Sequence, residues 1–475
     1  MRTLVWFRSD LRVGDNPALW HAAKGGEVVG LYVVSPGDWE RHDTAACRVE
    51  FVLRCLRELR AGLREKGVAL RVVRAERARD VAGLVVREAE TCKCGGIAFN
   101  REYEWNEARR DEEVERLAEK AGLEVAAHHD QVFFAPGEVM TGQGTYYTVF
   151  TPFRKAVYKR FGEEGVPETV GVMRKQKELE VEGTEIPERV EGFESGVDAG
   201  LWAGGEKEAQ RRLRKFVEGK IDDYDTARDV VSEDGTSGLS AYLAVGAVST
   251  RQCLEAGLEA NGGKWEGGNK GVSTWVSELV WREFYRHIVV GFPRVCMHRP
   301  FKTETERIEW EENEEHARAW MEGRTGYPIV DAAMRCLRET GWMHNRLRMI
   351  TAMFFTKDLF LDWRIGERFF MRHLIDGDLA SNNGGWQWSA STGTDAAPYF
   401  RIFNPVSQSQ KCDPEGVFIR RWVPELKGLE GKAIHEPWEA GLLRAGAGYP
   451  SPIVDHGEAR DRAIEAFKRA SGARA

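Results

Sequence analysis

Short apolar runs alternate with helix-length segments over the first 130 residues, and then the alternation stops. The runs fall at residues 3–8 (TLVWFR), 28–34 (VVGLYVV), 69–74, 96–99 and 124–129. Between them, Val49, Val52, Leu53, Leu56, Leu59 and Leu63 recur at helical steps, as do Val81, Leu84, Val85 and Ala89, each set marking one helix face. Strand alternating with helix over this length predicts an α/β domain at 1–130 built on a doubly wound parallel sheet. No G-x-G-x-x-G follows the first run, so a dinucleotide site there is unsupported. Residues 161–206 are rich in Glu, Gly and Val with little period, and 131–205 is expected to be a linker wrapped on the surface. From 206 to 475 helical spacing dominates, in RRLRKFVEGKI, SAYLAVGAV, STWVSELVWREFYRHIVV, IVDAAMRCLRET and HNRLRMITAMFFTKDLF. The second domain is therefore expected to be all-α.

Composition narrows the function classes. With 475 residues, 42% hydrophobic and 30% charged, the chain reads as globular and long enough for two domains. No apolar run approaches the ~20 residues of a membrane span. MRTLVWFRSDLR breaks into charge too early for a secretory signal. Eight cysteines without a C-x-x-C pair suggest neither a disulfide framework nor a zinc site, and point to reduced thiols in a cytoplasm. A net charge of −7 argues against nucleic-acid binding over the whole surface and leaves room for a local basic patch. Four of the sixteen tryptophans lie in residues 1–200 and twelve in 201–475, which assigns the halves different work.

Several segments carry chemistry in combination. WVSELVWREFYRH places Glu278, Trp281, Arg282 and Tyr285 on one helix face; alone, it also suits an amphipathic helix with core indoles. Thr236, Ser237 and Ser240 precede an apolar run and could cap a helix or hold a phosphate. Asn345, Arg346, Arg348 and Met349 stand together, and Asp376 and Asp378 read as a helix-terminating turn. ASNNGGWQWSASTGTDAAPYFRIFNP, residues 380–405, fits no ordinary helix or strand, because Asn and Gly favour turns and helix ends.

Taken in order, FRSDLRVGDNPAL, TSGLS, WREFYRH, TGYPIVDAAM, GWMHNRLRM, DGDLASNNGGWQW and FRIFNP resemble the photolyase/cryptochrome family. The nearest resemblance is to the bacterial class I cyclobutane pyrimidine dimer photolyases, and it covers essentially the whole chain. It implies an N-terminal antenna domain, a helical C-terminal FAD-binding domain, and blue-light repair of ultraviolet-damaged DNA by a soluble, monomeric protein. By resemblance, Tyr224, Thr236, Ser237, Leu239 and Ser240 hold the cofactor phosphates, although Gly238 stands where the family usually has Arg or Lys. Asp376 and Asp378 face the flavin, Arg348 lies on its other side, and Asn382 sits beside flavin N5. An amide there can bond the reduced ring without titrating. Trp281 and Trp388 are the walls of the lesion pocket, Met349 a soft contact, and Glu278 and Asn345 its anchors. Burial is expected to keep Glu278 protonated. Arg228, Arg282, Arg346, Arg401 and Lys411 are expected at the pocket mouth, gripping DNA phosphates. Trp386, Trp363 and Trp310 match a chain of indoles running from flavin to surface.

The family's second chromophore is a folate or a deazaflavin. His42, Asn106, Glu107 and Cys296 match the folate pattern, whereas Met297 replaces its Lys. Methenyltetrahydrofolate is therefore expected, with deazaflavin second. Two other functions remain open to the resemblance, a cryptochrome photoreceptor and a 6-4 photolyase. Asn382 weighs against the first, and the absence of a histidine pair at Asn345 and Met349 weighs against the second.

Overall fold

The computed structural model describes residues 1–439 and 448–470, so the helical domain read to residue 475 extends beyond the described residues. Five strands, β1 (Thr3–Phe7), β2 (Val28–Val34), β3 (Leu70–Arg74), β4 (Gly96–Asn100) and β5 (Glu124–His128), form one sheet in the order β3-β2-β1-β4-β5. Every neighbouring pair is parallel, with Thr3 opposite Val28 on one side and Gly96 on the other. β1, β2 and β4 are buried along their whole length, as strands covered on both faces must be. The chain runs outward from β1 to β3 and then returns to β4 on the far side of β1. This reversal opens a crevice at the carboxyl ends of β1 and β4.

One face of the sheet packs Leu4, Trp6, Val29 and Leu31 against the helices Val81–Thr91 and Trp105–Lys120. The other face has no core of its own. Val5, Phe7, Phe51 and Leu56 belong to the same apolar cluster as Tyr242, Leu254, Val276 and Phe284 of the helical domain. The Phe51 and Tyr242 rings meet edge to face at 5.2 Å across the junction. Polar groups stitch the same boundary. Glu206 accepts from the Val13 and Gly14 amides at 2.8 and 3.0 Å, and Glu283 accepts from Phe133 and Phe134 at 2.7 and 2.9 Å.

Two expectations change. The segment 131–205 is not a linker throughout, because Phe150–Glu164 forms a helix that buries Phe150, Phe153, Val157, Tyr158 and Phe161. Its aromatic spacing pays no attention to the polar composition of the residues that follow. The stretch opening at residue 380 is also more regular than its composition implies: Leu379–Ser389 is a helix. Asp378 caps it, accepting from the Ser381 amide at 2.9 Å, which offsets the poor helix propensity of Asn and Gly. The glycine at 384 serves close packing. A Cβ there would lie 2.3 Å from the Tyr285 ring on the helix Lys270–Gly291.

Gly384→Ala is therefore expected to destabilise the protein by about 1–3 kcal/mol through overpacking, lowering the denaturation midpoint. An unchanged midpoint would mean that the two helices separate freely.

Candidate functional site

A cavity of about 130 Å³ opens where the helices Asn345–Met353 and Leu379–Ser389 face each other, lined by Asn345, Arg348, Met349, Asp376, Asn382 and Trp386 among others. Arg348 donates to Asp376 at 2.7 Å. The two therefore form one ion pair and not the opposite walls expected from the sequence. Asp376 Oδ1 is buried with no partner among the described residues. Asn382 is 9% exposed, and its Nδ2 donates to the Glu367 carbonyl at 3.0 Å. That bond fixes the amide and leaves its oxygen without a partner among the described residues. Asp378 accepts from Arg286 at 2.7 Å and from Arg282 at 3.5 Å. Burial alone would raise its carboxyl, but the two guanidiniums outweigh burial and hold it well below the usual range.

Tyr224, Thr236, Ser237, Leu239 and Ser240 do not line this cavity. They lie on the adjoining segment, where Trp342 Nε1 donates to Ser240 Oγ at 3.2 Å. Thr236, Ser237 and Ser240 are half-buried and Leu239 is buried.

Of the residues expected at a lesion pocket, Asn345 and its neighbour Arg346 approach the Met349 sulfur, through Nδ2 and Nη1, each at 3.9 Å. Trp281 stacks on Phe150 at 3.7 Å with the rings 9° apart, so one indole face is covered. Trp281 and Trp388 each lie four residues from the Tyr285–Gly384 contact, one turn away on the two packed helices. Glu278 faces Arg228, which donates to it at 2.6 Å. A cation, and not the apolar wall expected, meets this carboxylate. Arg346 pairs with Asp229, while Arg401 and Lys411 are exposed. Arg282 departs from the expected rim. Its side chain is 13% exposed and donates to the Leu243 carbonyl at 3.0 Å as well as to Asp378, and burial lowers its guanidinium to about 10. Its helix position is as expected, but Asp378 draws it inward.

Trp386 and Trp363 are buried at 2% and 1%, and Trp310 is half-buried against Phe360 and Phe467 at 5.1 and 6.1 Å. Gly366, on the helix bearing Trp363, would place a Cβ 2.1 Å from the Trp386 ring. Sequence reasoning missed a fourth indole, Trp320, which meets Trp386 edge-on at 5.9 Å. It also missed Arg286, Glu367 and His298, whose surroundings no local motif announces.

A second cavity, about 440 Å³, occupies the crevice at the carboxyl ends of β1, β2 and β4 and is closed by the helical domain. His42, Asn106, Glu107 and Cys296 all line it, with Met297 beside them. His42 Nδ1 lies 3.2 Å from Glu107, and Asn106 Nδ2 lies 3.0 Å from His42 Nε2. Burial raises the Glu104 and Glu107 carboxyls, whereas Arg8 and Arg110 overcome burial at Glu102 and lower it to about 2. Carboxyls held deep in a cavity suit a ligand that can hydrogen-bond to them. On the same wall, His298 Nδ1 lies 3.2 Å from Glu367, whose other oxygen is buried without a partner among the described residues.

An ion pair, a fixed amide and a buried indole thus line one cavity, and a second cavity lies at the edge of the α/β sheet. Residues 3–170 match the family model described as DNA photolyase, and residues 275–469 match the FAD binding domain of DNA photolyase. The deoxyribodipyrimidine photo-lyase of Escherichia coli (strain K12) is 46% identical over 475 residues, covering 98% of each chain. The structure of a bacterial class III photolyase from Agrobacterium tumefaciens aligns with a TM-score of 0.87 at 33% identity, covering 99% of this chain and 98% of that one. An archaeal photolyase from Sulfolobus tokodaii, solved with two FAD molecules, gives 0.82 at 32% identity, covering 99% and 100%. The chain belongs to the DNA photolyase family. The FAD binding domain implies an FAD, and the lining of the smaller cavity suits a group with N–H donors: Asp376 Oδ1 is buried without a partner among the described residues, and a Cβ at Gly385 would meet nothing within 4 Å.

The Glu367 hydrogen bond raises His298 above its ordinary value. A histidine raised on folding contributes stability that is present below its ordinary value of about 6.5 and is lost as pH rises through the raised one. The parent should therefore exceed His298→Gln in denaturation midpoint near about pH 6 and match it near about pH 9. A difference independent of pH would remove the ion pair from the explanation.

Proposed function

We propose that this chain is a light-driven deoxyribodipyrimidine photo-lyase that splits cyclobutane pyrimidine dimers in DNA. The observation that carries this reading is a shared cavity: Arg348, Asp376, Asn382 and Trp386 line it together with Asn345 and Met349, so flavin-side and lesion-side groups face one space. Bound reduced FAD would supply an electron under blue light. Asn382, fixed by the Glu367 carbonyl, presents a neutral acceptor to the ring. Arg348 and Asp376 would hold the ring edge, and Trp386, Trp363 and Trp310 would serve to recharge it from the surface. A dimer turned out of the duplex would meet Trp281 and Trp388 as flat walls and Asn345 and Glu278 as polar anchors. Arg401 and Lys411, exposed, and Arg228 and Arg346, now paired with carboxylates, would turn to the flanking phosphates.

The larger cavity is the antenna site in this reading, and a folate fits it best. Glu107 would accept from pterin N–H groups, with His42, Asn106 and Cys296 around the ring. Among the described residues no helix is long and apolar enough to cross a membrane, in keeping with a cytoplasmic DNA-repair enzyme.

The test is blue-light repair of a defined thymine dimer in an oligonucleotide. Reduced enzyme should restore the thymines and leave 6-4 photoproducts unchanged; repair of neither lesion would favour a photoreceptor. Trp386→Phe should photoreduce far more slowly than the parent yet repair normally once reduced in the dark, and equal photoreduction would remove the indole route. Addition of methenyltetrahydrofolate should produce a near-ultraviolet absorption band that Glu107→Ala abolishes. Uptake of deazaflavin in place of folate would overturn the antenna assignment alone.

A further inference from the structure

The segment carrying Thr236, Ser237 and Ser240 lacks a cation of its own. Gly238 has φ +61°, the left-handed region that favours glycine, so an arginine or lysine there would be strained. A cation nevertheless borders the space its side chain would enter. A Cβ at 238 would lie 3.5 Å from Arg212 Nη1, with no other heavy atom among its neighbours within 4 Å. Arg212 comes from a different element, the helix Glu206–Gly219, and its guanidinium is held from several sides. Nε donates to Glu208 at 2.8 Å, Nη2 donates to the Leu201 carbonyl at 3.0 Å, and the group lies 5.3 and 5.2 Å from the Trp202 and Tyr242 ring centroids.

This arrangement leaves one end of the guanidinium uncommitted: Nη1 has no hydrogen-bond partner among the described residues, and it is the end beside the loop. The charge is also in surplus. Glu208 is shared with Arg211, which donates to it twice at 2.7 Å, so two cations meet one carboxylate. A preorganised guanidinium with a free N–H edge beside the turn at Gly238 is suited to bind a phosphate oxygen.

We infer that Arg212 supplies the positive contact to the cofactor diphosphate that position 238 does not. The charge comes from the neighbouring helix, and the loop backbone at Gly238 keeps its left-handed turn. This inference rests on the proposed placement of the diphosphate against residues 236–240.

The experiment follows release of FAD from diluted holoenzyme by the fluorescence of the free cofactor, together with the ³¹P spectrum of the bound diphosphate. Arg212→Gln and Arg212→Ala should weaken FAD retention roughly 10- to 100-fold, the range for a hydrogen bond to a charged group. They should also shift a ³¹P resonance and flatten the dependence of release on salt. Arg212→Lys should recover part of the retention. Arg211→Ala, which alters the same carboxylate from the outside, should leave the ³¹P spectrum unchanged. Parent-like retention in both Arg212→Gln and Arg212→Ala would overturn the inference, as would weakened retention with an unaltered ³¹P spectrum. Ser237→Ala separates the two readings. If it weakens retention while the Arg212 variants do not, the diphosphate lies at the loop without Arg212. If none of them has an effect, the placement at the loop is itself wrong. Should the alanine variant fold poorly, the parent decides through a direct ¹⁵N–³¹P contact between the Arg212 guanidinium and the diphosphate, whose absence counts against the inference.

Discussion

Asp378 is the point on which both cavities depend. One of its oxygens caps the helix Leu379–Ser389, and the carboxylate also binds Arg286 and Arg282 from the helix Lys270–Gly291. Arg286 in turn donates to Gln131 at 2.9 Å, immediately after the buried Asp130. The residue lines both the smaller and the larger cavity. A buried ion group of this kind adds little net stability over an apolar one, but losing one member leaves charges stranded in a poor dielectric. The wall between the two cavities is thus polar, ion-paired at its centre and intolerant of partial loss.

Glu367 extends that wall. Its backbone carbonyl positions the Asn382 amide, its carboxylate meets His298 in the larger cavity, and the residue before it is the glycine that admits the Trp386 ring. One helical turn therefore sets the amide, the first indole and a titratable pair together. The amide could not rotate without breaking a hydrogen bond to the backbone, and the indole could not retreat without opening a void.

The sheet was legible because β1, β2 and β4 are almost wholly apolar, and only burial on both faces tolerates such runs. The long helices of the second half were legible from their spacing for the same reason. What escaped were features set by a distant partner. The helix at 379–389 contradicts its Asn and Gly content because a cap at its start and a tyrosine ring against its flank decide the matter. Arg282 shares a helix face with Glu278, yet Asp378, remote in sequence, turns it inward. The Arg348–Asp376 pairing and the Phe150 cover on Trp281 are likewise long-range choices that periodicity cannot encode. The four candidates His42, Asn106, Glu107 and Cys296 did converge on one cavity, since motif order carries the three-dimensional arrangement where local propensity does not.

The apolar cluster running unbroken from β1 into the helical domain limits how such a molecule can diversify. A sheet with one face covered only by the helical domain cannot be detached without exposing that face to water. Any ligand of the larger cavity must be accommodated by side chains in place, around a crevice whose dimensions are already dictated by the neighbouring helices. The separation between the two cavities is then a fixed property of the packing across that junction.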